Sequence, residues 1–262
     1  WRCRHGAMAG GGTPRPRHGV TESASTEAPA PRAGETTLSP ERWPWALVFS
    51  SAIVTVNWYF ARTTAIATRG HDGSWLGVSG LELPAWAAFL LTFALLGVGT
   101  ALVARPILGR RPVALGMGGG ERRQGLVLLA IGLPVGILIA WSGARDATIA
   151  GVYPLADVTL AAGPFALHAA LYGLYYLGFE YHFRGFLLLG LKERIGPNTA
   201  LVLQAALATL AHVGKPGTEL AIAFPGSLAL GWITLRTGSI WYALAIHWVV
   251  GVAMDWFILA SP

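Results

Sequence analysis

Seven apolar runs follow one another along the chain, near residues 43–61, 83–104, 124–142, 160–191, 198–213, 218–235 and 239–260. Each is about the length that a helix rising about 1.5 Å per residue needs to cross roughly 30 Å of hydrocarbon. The pattern predicts seven membrane helices. The fourth run is longer than one crossing requires, and Gly178 and Gly185 within it allow a kink or a close helix contact. Ahead of the first run, residues 1–42 ("WRCRHGAMAGGGTPRPRHGVTESASTEAPAPRAGETTLSPER") have no apolar periodicity and are rich in Gly, Pro, Ala, Ser and Thr. Such a segment buries too little surface to fold, so the expected organisation is a disordered tail over 1–42 and a transmembrane domain over 43–262. The tail has no apolar core of a cleaved signal peptide and no initiating Met, which makes Met8 a candidate start. No internal repeat is visible.

Composition strengthens this reading. Of 262 residues 53% are hydrophobic and only 12% charged, with eleven Trp, far too apolar for a water-soluble domain. The expected fold class is an all-α, polytopic membrane bundle, with the lipid bilayer as its first partner. The single cysteine, Cys3, lies in the tail and excludes a disulfide framework or a cysteine metal site. The net charge of +6 comes from Arg and Lys scattered between apolar runs, as in cytoplasmic membrane loops, and no nucleic acid partner is expected. Arg105, Arg110, Arg111, Arg122 and Arg123 crowd one loop, whereas 62–82 and 145–157 are balanced or slightly acidic. The Arg-rich loop is therefore expected in the cytoplasm of a cell with the chain in its inner membrane. Alternation then puts the N-terminal tail, Arg42, Lys192, Arg194 and Arg236 on the same side and the C-terminal end outside. Trp43, Trp45, Trp248 and Trp256 fit the membrane boundary.

Four ionisable residues interrupt the last four runs: Glu180, Arg184, His212 and His247. Unpaired in hydrocarbon each costs several kcal/mol, so they are expected to be paired or functional. Glu180 and Arg184, four apart, share a helix face, while His182 lies about 200° around from Glu180 and is set aside as packing, like His168. Counted from the nearest basic or polar end at about 1.5 Å per residue, Glu180 lies about 18 Å deep, His212 about 21 Å and His247 about 16 Å. One layer thus holds a carboxylate and two imidazoles from three helices. This set suits hydrolysis: a carboxylate takes a proton from water, one imidazole orients the water, and the other donates to the developing oxyanion. It equally suits a metal site, with Glu180, His212 and His247 as candidate zinc ligands, although no HExxH-type spacing is present. The residues alone leave both open. Gln204, two turns before His212, is a candidate supporting residue, and Asp255 is expected to reach the membrane surface.

At these residues the chain resembles the CPBP or Abi family of membrane proteins, which includes the type II CAAX prenyl proteases. "FEYHFRG" (179–185), "ATLAH" (208–212) and "HWVVG" (247–251) stand where that family carries EExxxR, FxxxH and HxxxN on successive helices. The lead "LALGWITLRTGSIWYALAIHW" into the third motif is also similar. The resemblance covers about 160–255 and places a motif-bearing core at 160–260. It implies an intramembrane peptidase that cleaves membrane-associated peptides or proteins with water, through a polar cavity open toward the cytoplasm. By position it carries over Glu180, Arg184, His212 and His247. Three positions depart: Phe179 replaces the first Glu, which in the family activates water, Ala208 replaces the Phe, and Gly251 replaces the Asn that helps polarise the scissile carbonyl. A catalytically inactive relative that binds or chaperones a membrane partner is the alternative.

Overall fold

A computed structural model describes residues 42–63 and 82–261. The tail expected over 1–42, with Cys3 and Met8, lies outside the described residues apart from Arg42. The first long helix, α1 (Trp43–Phe60), begins with Pro44 in its first turn, where a missing N–H leaves no bond unmade. Then come α2 (Ala85–Leu108), α3 (Arg122–Gly143), the single turn α4 (Ala147–Ala150) and the 34-residue α5 (162–195). The order closes with α6 (Pro197–Leu210), α7 (Gly217–Thr237) and α8 (Trp241–Ala260). Two-residue strands β1 (Arg62–Thr63) and β2 (Glu82–Leu83) pair in parallel just outside α1 and α2.

The expected all-α membrane bundle is found, with long helices under all seven apolar runs. Four of them, α2, α3, α7 and α8, are long and apolar enough to cross a membrane, so the count of seven crossings is not established. The other three fall short for different reasons. With 14 residues α6 covers only about 21 Å at about 1.5 Å per residue, α1 carries Asn57, and α5 carries Glu180, His182 and Arg184 at its centre.

Those ionisable groups are kept from lipid because α5 is the core of the bundle: every residue from 178 to 191 is buried. Within it Tyr181–Leu189 is wound as a wider π-helix, a feature common near functional sites. Gly178 and Gly185 provide close packing. A Cβ at Gly178 would stand 2.9 Å from Phe93 Cα of α2, and one at Gly185 2.7 Å from the Leu115 carbonyl oxygen. By contrast α3 is peripheral. It turns Leu126, Ile131 and Leu138 outward and meets α8 along Gly125, Gly132 and Gly136, the close approach that small residues give membrane helices.

The two ends of the bundle differ. At one end Arg110 pairs with Glu193, the Ile240 N–H donates to the Gly116 carbonyl (3.0 Å) and the Glu121 N–H to that of Thr237 (2.8 Å). The Arg-rich loop, the end of α5 and the α7–α8 turn therefore share that end, as the charge pattern requires. At the other end lie the segment around Tyr153 and the turn 211–216 between α6 and α7, where the Trp58 indole N–H donates to the Val213 carbonyl at 2.7 Å. Gly196, at φ 83°, makes the reversal from α5 into α6, a conformation that other residues enter at a cost.

Candidate active site

Glu180 and Arg184, one turn apart on α5, are fully buried and form an ion pair, with Nε 3.2 Å from Oε2. An ion pair out of water survives only when its remaining groups find partners. Arg184 Nη2 donates to the Ser227 hydroxyl of α7 at 3.1 Å, while Nη1 has no partner among the described residues. Gln204 of α6 donates to the Ser227 carbonyl (3.1 Å) and to that of Leu201 (3.0 Å), so the expected supporting residue braces the residue that braces Arg184. On its other side Glu180 Oε1 accepts from His247 Nδ1 of α8 at 2.7 Å. Glu180 is closed to solvent, whereas His247 retains 21% of its side-chain surface. The imidazole is thus the accessible end of a chain running Gln204, Ser227, Arg184, Glu180, His247.

His212, expected beside Glu180, is placed differently. It lies in the turn just after α6, its Nδ1 donates to the Ala208 carbonyl (2.7 Å), and the acid nearest its Nε2 is Glu219 of α7, at 4.0 Å. What it shares with His247 is Phe179, whose ring stands nearly perpendicular to both imidazoles, with centroids 5.9 Å and 5.7 Å away. The side chain that replaces the family's first carboxylate therefore faces the two histidines, and the Arg184 guanidinium lies 5.6 Å from the same ring.

Glu219 belongs to a cluster that the sequence offered no motif for. Lys215 Nζ donates to Glu219 Oε1 at 2.8 Å and to the Tyr153 hydroxyl at 3.1 Å. The Tyr153 hydroxyl in turn reaches Glu219 Oε1 and Oε2 at 3.0 and 2.8 Å. Burial first, and the Glu219 carboxylate next, hold the Tyr153 phenol well above its ordinary range, so it stays a donor. Burial alone would pull the Lys215 ammonium down. The Glu219 carboxylate, with smaller contributions from its other neighbours, outweighs this and keeps it above the ordinary lysine value. The only hint in the sequence was a lysine and a glutamate four apart, Lys215 and Glu219, flanking a helix start.

Two further expectations are corrected. Among the described residues no three His, Cys, Asp or Glu side chains form a group that could hold a metal. The proposed zinc set of Glu180, His212 and His247 is not assembled, because Arg184 occupies the second face of Glu180 and His212 turns to Glu219. Asp255 does not reach the membrane surface: it is fully buried with Oδ2 2.8 Å from His168 Nε2, so the two residues pair in the core, while Oδ1 has no partner among the described residues. His182 is also buried, its Nδ1 2.8 Å from the Thr100 hydroxyl of α2, and takes no part in the site.

At Gly251 another side chain fills the space that a larger residue would need. A Cβ there would fall 2.2 Å from the Tyr176 hydroxyl, so the phenol occupies that space, with its ring 4.5 Å from the His247 ring.

Residues 161–253 match the family model for the type II CAAX prenyl endopeptidase Rce1-like family. The match takes in α5, α6 and α7 and runs into α8 as far as Ala253, contains every motif position above, and bears out the resemblance to CAAX-type proteases. Neither the curated proteins nor the solved structures compared with the chain gave a match.

Proposed function

We propose, from the family match over 161–253, that this multi-pass membrane protein is an intramembrane peptidase. In this reading it uses water to hydrolyse peptide bonds of membrane-associated substrates, among them C-terminal membrane-anchored segments. The observation that carries the reading is the Glu180–His247 hydrogen bond of 2.7 Å, closed beneath an accessible imidazole. Glu180, engaged by Arg184 and His247 and without access to solvent, acts as the group that orients His247, not as the base. With Nδ1–H given to Glu180, the His247 imidazolium offers Nε2–H to the oxyanion that forms as water adds to the carbonyl, and the Tyr176 hydroxyl beside Gly251 is a second donor in the place of the missing asparagine. His212, with Nδ1–H tied to the Ala208 carbonyl, keeps Nε2 free to take a proton from water and return it to the leaving amine.

The apolar ring of Phe179 between the two imidazoles favours one other reading, a relative that binds a membrane partner through this site without cleaving it. Incubating the protein in vesicles with a library of synthetic membrane-spanning peptides, and reading products by mass spectrometry, separates the two. Wild type is expected to cleave, and Phe179→Glu to cleave faster, because it returns a carboxylate to the face where both histidines meet. No cleavage by either would favour the binding protein.

The Arg-rich end of the bundle is proposed to be cytoplasmic. With Cys3→Ser as background and single cysteines at Ser74, Gly119 or Ser261, an impermeant thiol reagent on intact cells should label positions 74 and 261 and spare 119. Labelling at 119 but not at 74 would invert the orientation.

A further inference from the structure

The cluster at the α6–α7 turn has a gap in it. His212 Nδ1 points to a carbonyl oxygen, which only accepts, so the hydrogen is on Nδ1 and the neutral ring has its lone pair on Nε2. That lone pair faces Glu219 Oε1 at 4.0 Å. Two acceptors have no hydrogen to share, and the separation exceeds hydrogen-bond length. One water molecule closes it, since a water giving one hydrogen to each of two acceptors at about 2.8 Å holds them roughly 4 to 4.5 Å apart. The carboxylate is not free to drift: Lys215 Nζ grips Oε1 and the Tyr153 hydroxyl reaches both oxygens. Water has a place to come from. A cavity of about 50 Å³ borders the same turn, lined among others by Ala211, Val213, Lys215, Asn57 and Thr92, and the buried Asn57 Oδ1 and Thr92 Oγ1 have no partner among the described residues. That is room for more than one water beside groups that want one. His212, Glu219 and Lys215 keep 12%, 16% and 11% of their side-chain surface, against 0–1% for Glu180 and Arg184.

We propose that Glu219 and His212 together hold the attacking water, so that the carboxylate absent at Phe179 is supplied from the first turn of the next helix. The inference rests on the peptidase reading. Water gives one hydrogen to Glu219 and the other to His212 Nε2. As its oxygen bonds to the scissile carbonyl carbon, the second hydrogen passes to Nε2 as a proton, and Glu219 balances the imidazolium charge. The C–N bond then breaks, the carbonyl re-forms as the new carboxyl group, and the amine leaves with the proton from Nε2.

The test measures kcat and KM for one peptide selected from the library cleaved by the wild-type protein in vesicles, together with the melting temperature of each variant. Glu219→Gln keeps an acceptor for Tyr153 but loses the charge, and is expected to lower kcat about a hundredfold or more with KM little changed. Adding Phe179→Glu to Glu219→Gln should restore kcat at least about tenfold, because the new carboxylate reaches the same imidazole. A brace that merely held the turn would show as a lower melting temperature and would not be rescued from position 179. If Glu219→Gln does not fold, Glu219→Asp keeps the charge and retreats by one methylene, and must itself lose kcat. Unchanged kcat in the variant that folds, or loss without rescue by Phe179→Glu, overturns the inference while leaving an active peptidase. A wild type that cleaves nothing in the library overturns the peptidase reading and this inference together.

Discussion

Arg184→Met should lower the stability of the folded protein by about 3–5 kcal/mol, the range seen when one partner of a buried ion pair is removed. Glu180 lies fully inside the bundle, and the guanidinium 3.2 Å away is the full charge that balances it. Met fills much the same volume but offers the carboxylate nothing, and the Ser227 hydroxyl loses its donor as well. The carboxylate must then take up a proton or draw in water, and either weakens the hold on His247. Restoring neutrality distinguishes this cause from poor packing. Glu180→Gln alone also strands a charge, that of Arg184, yet Glu180→Gln with Arg184→Met should recover most of the loss, since a neutral pair of similar shape leaves no charge buried. Thermal unfolding in one detergent, for wild type, both single variants and the double, completes the cycle. A single Arg184→Met variant as stable as wild type would show that the pair is not sealed as described.

His247→Ala should leave the protein folded and reduce kcat for peptide cleavage by about 10²–10³, the usual cost of one oxyanion donor. The fold should tolerate it because the imidazole is partly accessible and its loss leaves Glu180 still paired with Arg184. The effect falls on kcat because the developing negative charge exists only in the transition state, while the uncharged carbonyl of the bound peptide has little to gain from the imidazole. Rates in vesicles for wild type and His247→Ala, with unfolding curves for both, check this. Equal kcat values would remove His247 from the chemistry.

Much of the site was legible because membrane helices make polarity conspicuous. The Glu180–Arg184 pair followed from a spacing of four on one helix, and His247 from its depth, and both are found in contact with Glu180. Depth along a helix says nothing of direction around it, which is why His212, at a similar level, belongs instead with Glu219 across the α6–α7 turn. Glu219 itself was hidden by its position. An acidic residue in the first turn of a helix is ordinarily a favourable match to the helix dipole and attracts no notice. Asp255 was misplaced for a related reason: near the end of an apolar run a carboxylate is expected to find water, and only the packing of α8 against α5 shows that it finds His168 instead. The substitution at Gly251 was visible as a loss, whereas the Tyr176 hydroxyl that fills its space needed the geometry. In the same way the seven apolar runs marked the seven long helices, but hydropathy could not tell a helix facing lipid, such as α3, from one like α5 whose middle is sealed in protein.

The most direct measurement of the central claim follows oxygen from solvent into product. The protein in vesicles is given the peptide library in water enriched in ¹⁸O, beside His212→Ala and His247→Ala variants, and the new carboxyl termini are weighed by mass spectrometry. Water-mediated hydrolysis at this site predicts ¹⁸O in the carboxyl terminus released by the wild type and little or no product from either variant. Intact peptides with the wild type, or labelled product undiminished in both variants, would contradict it.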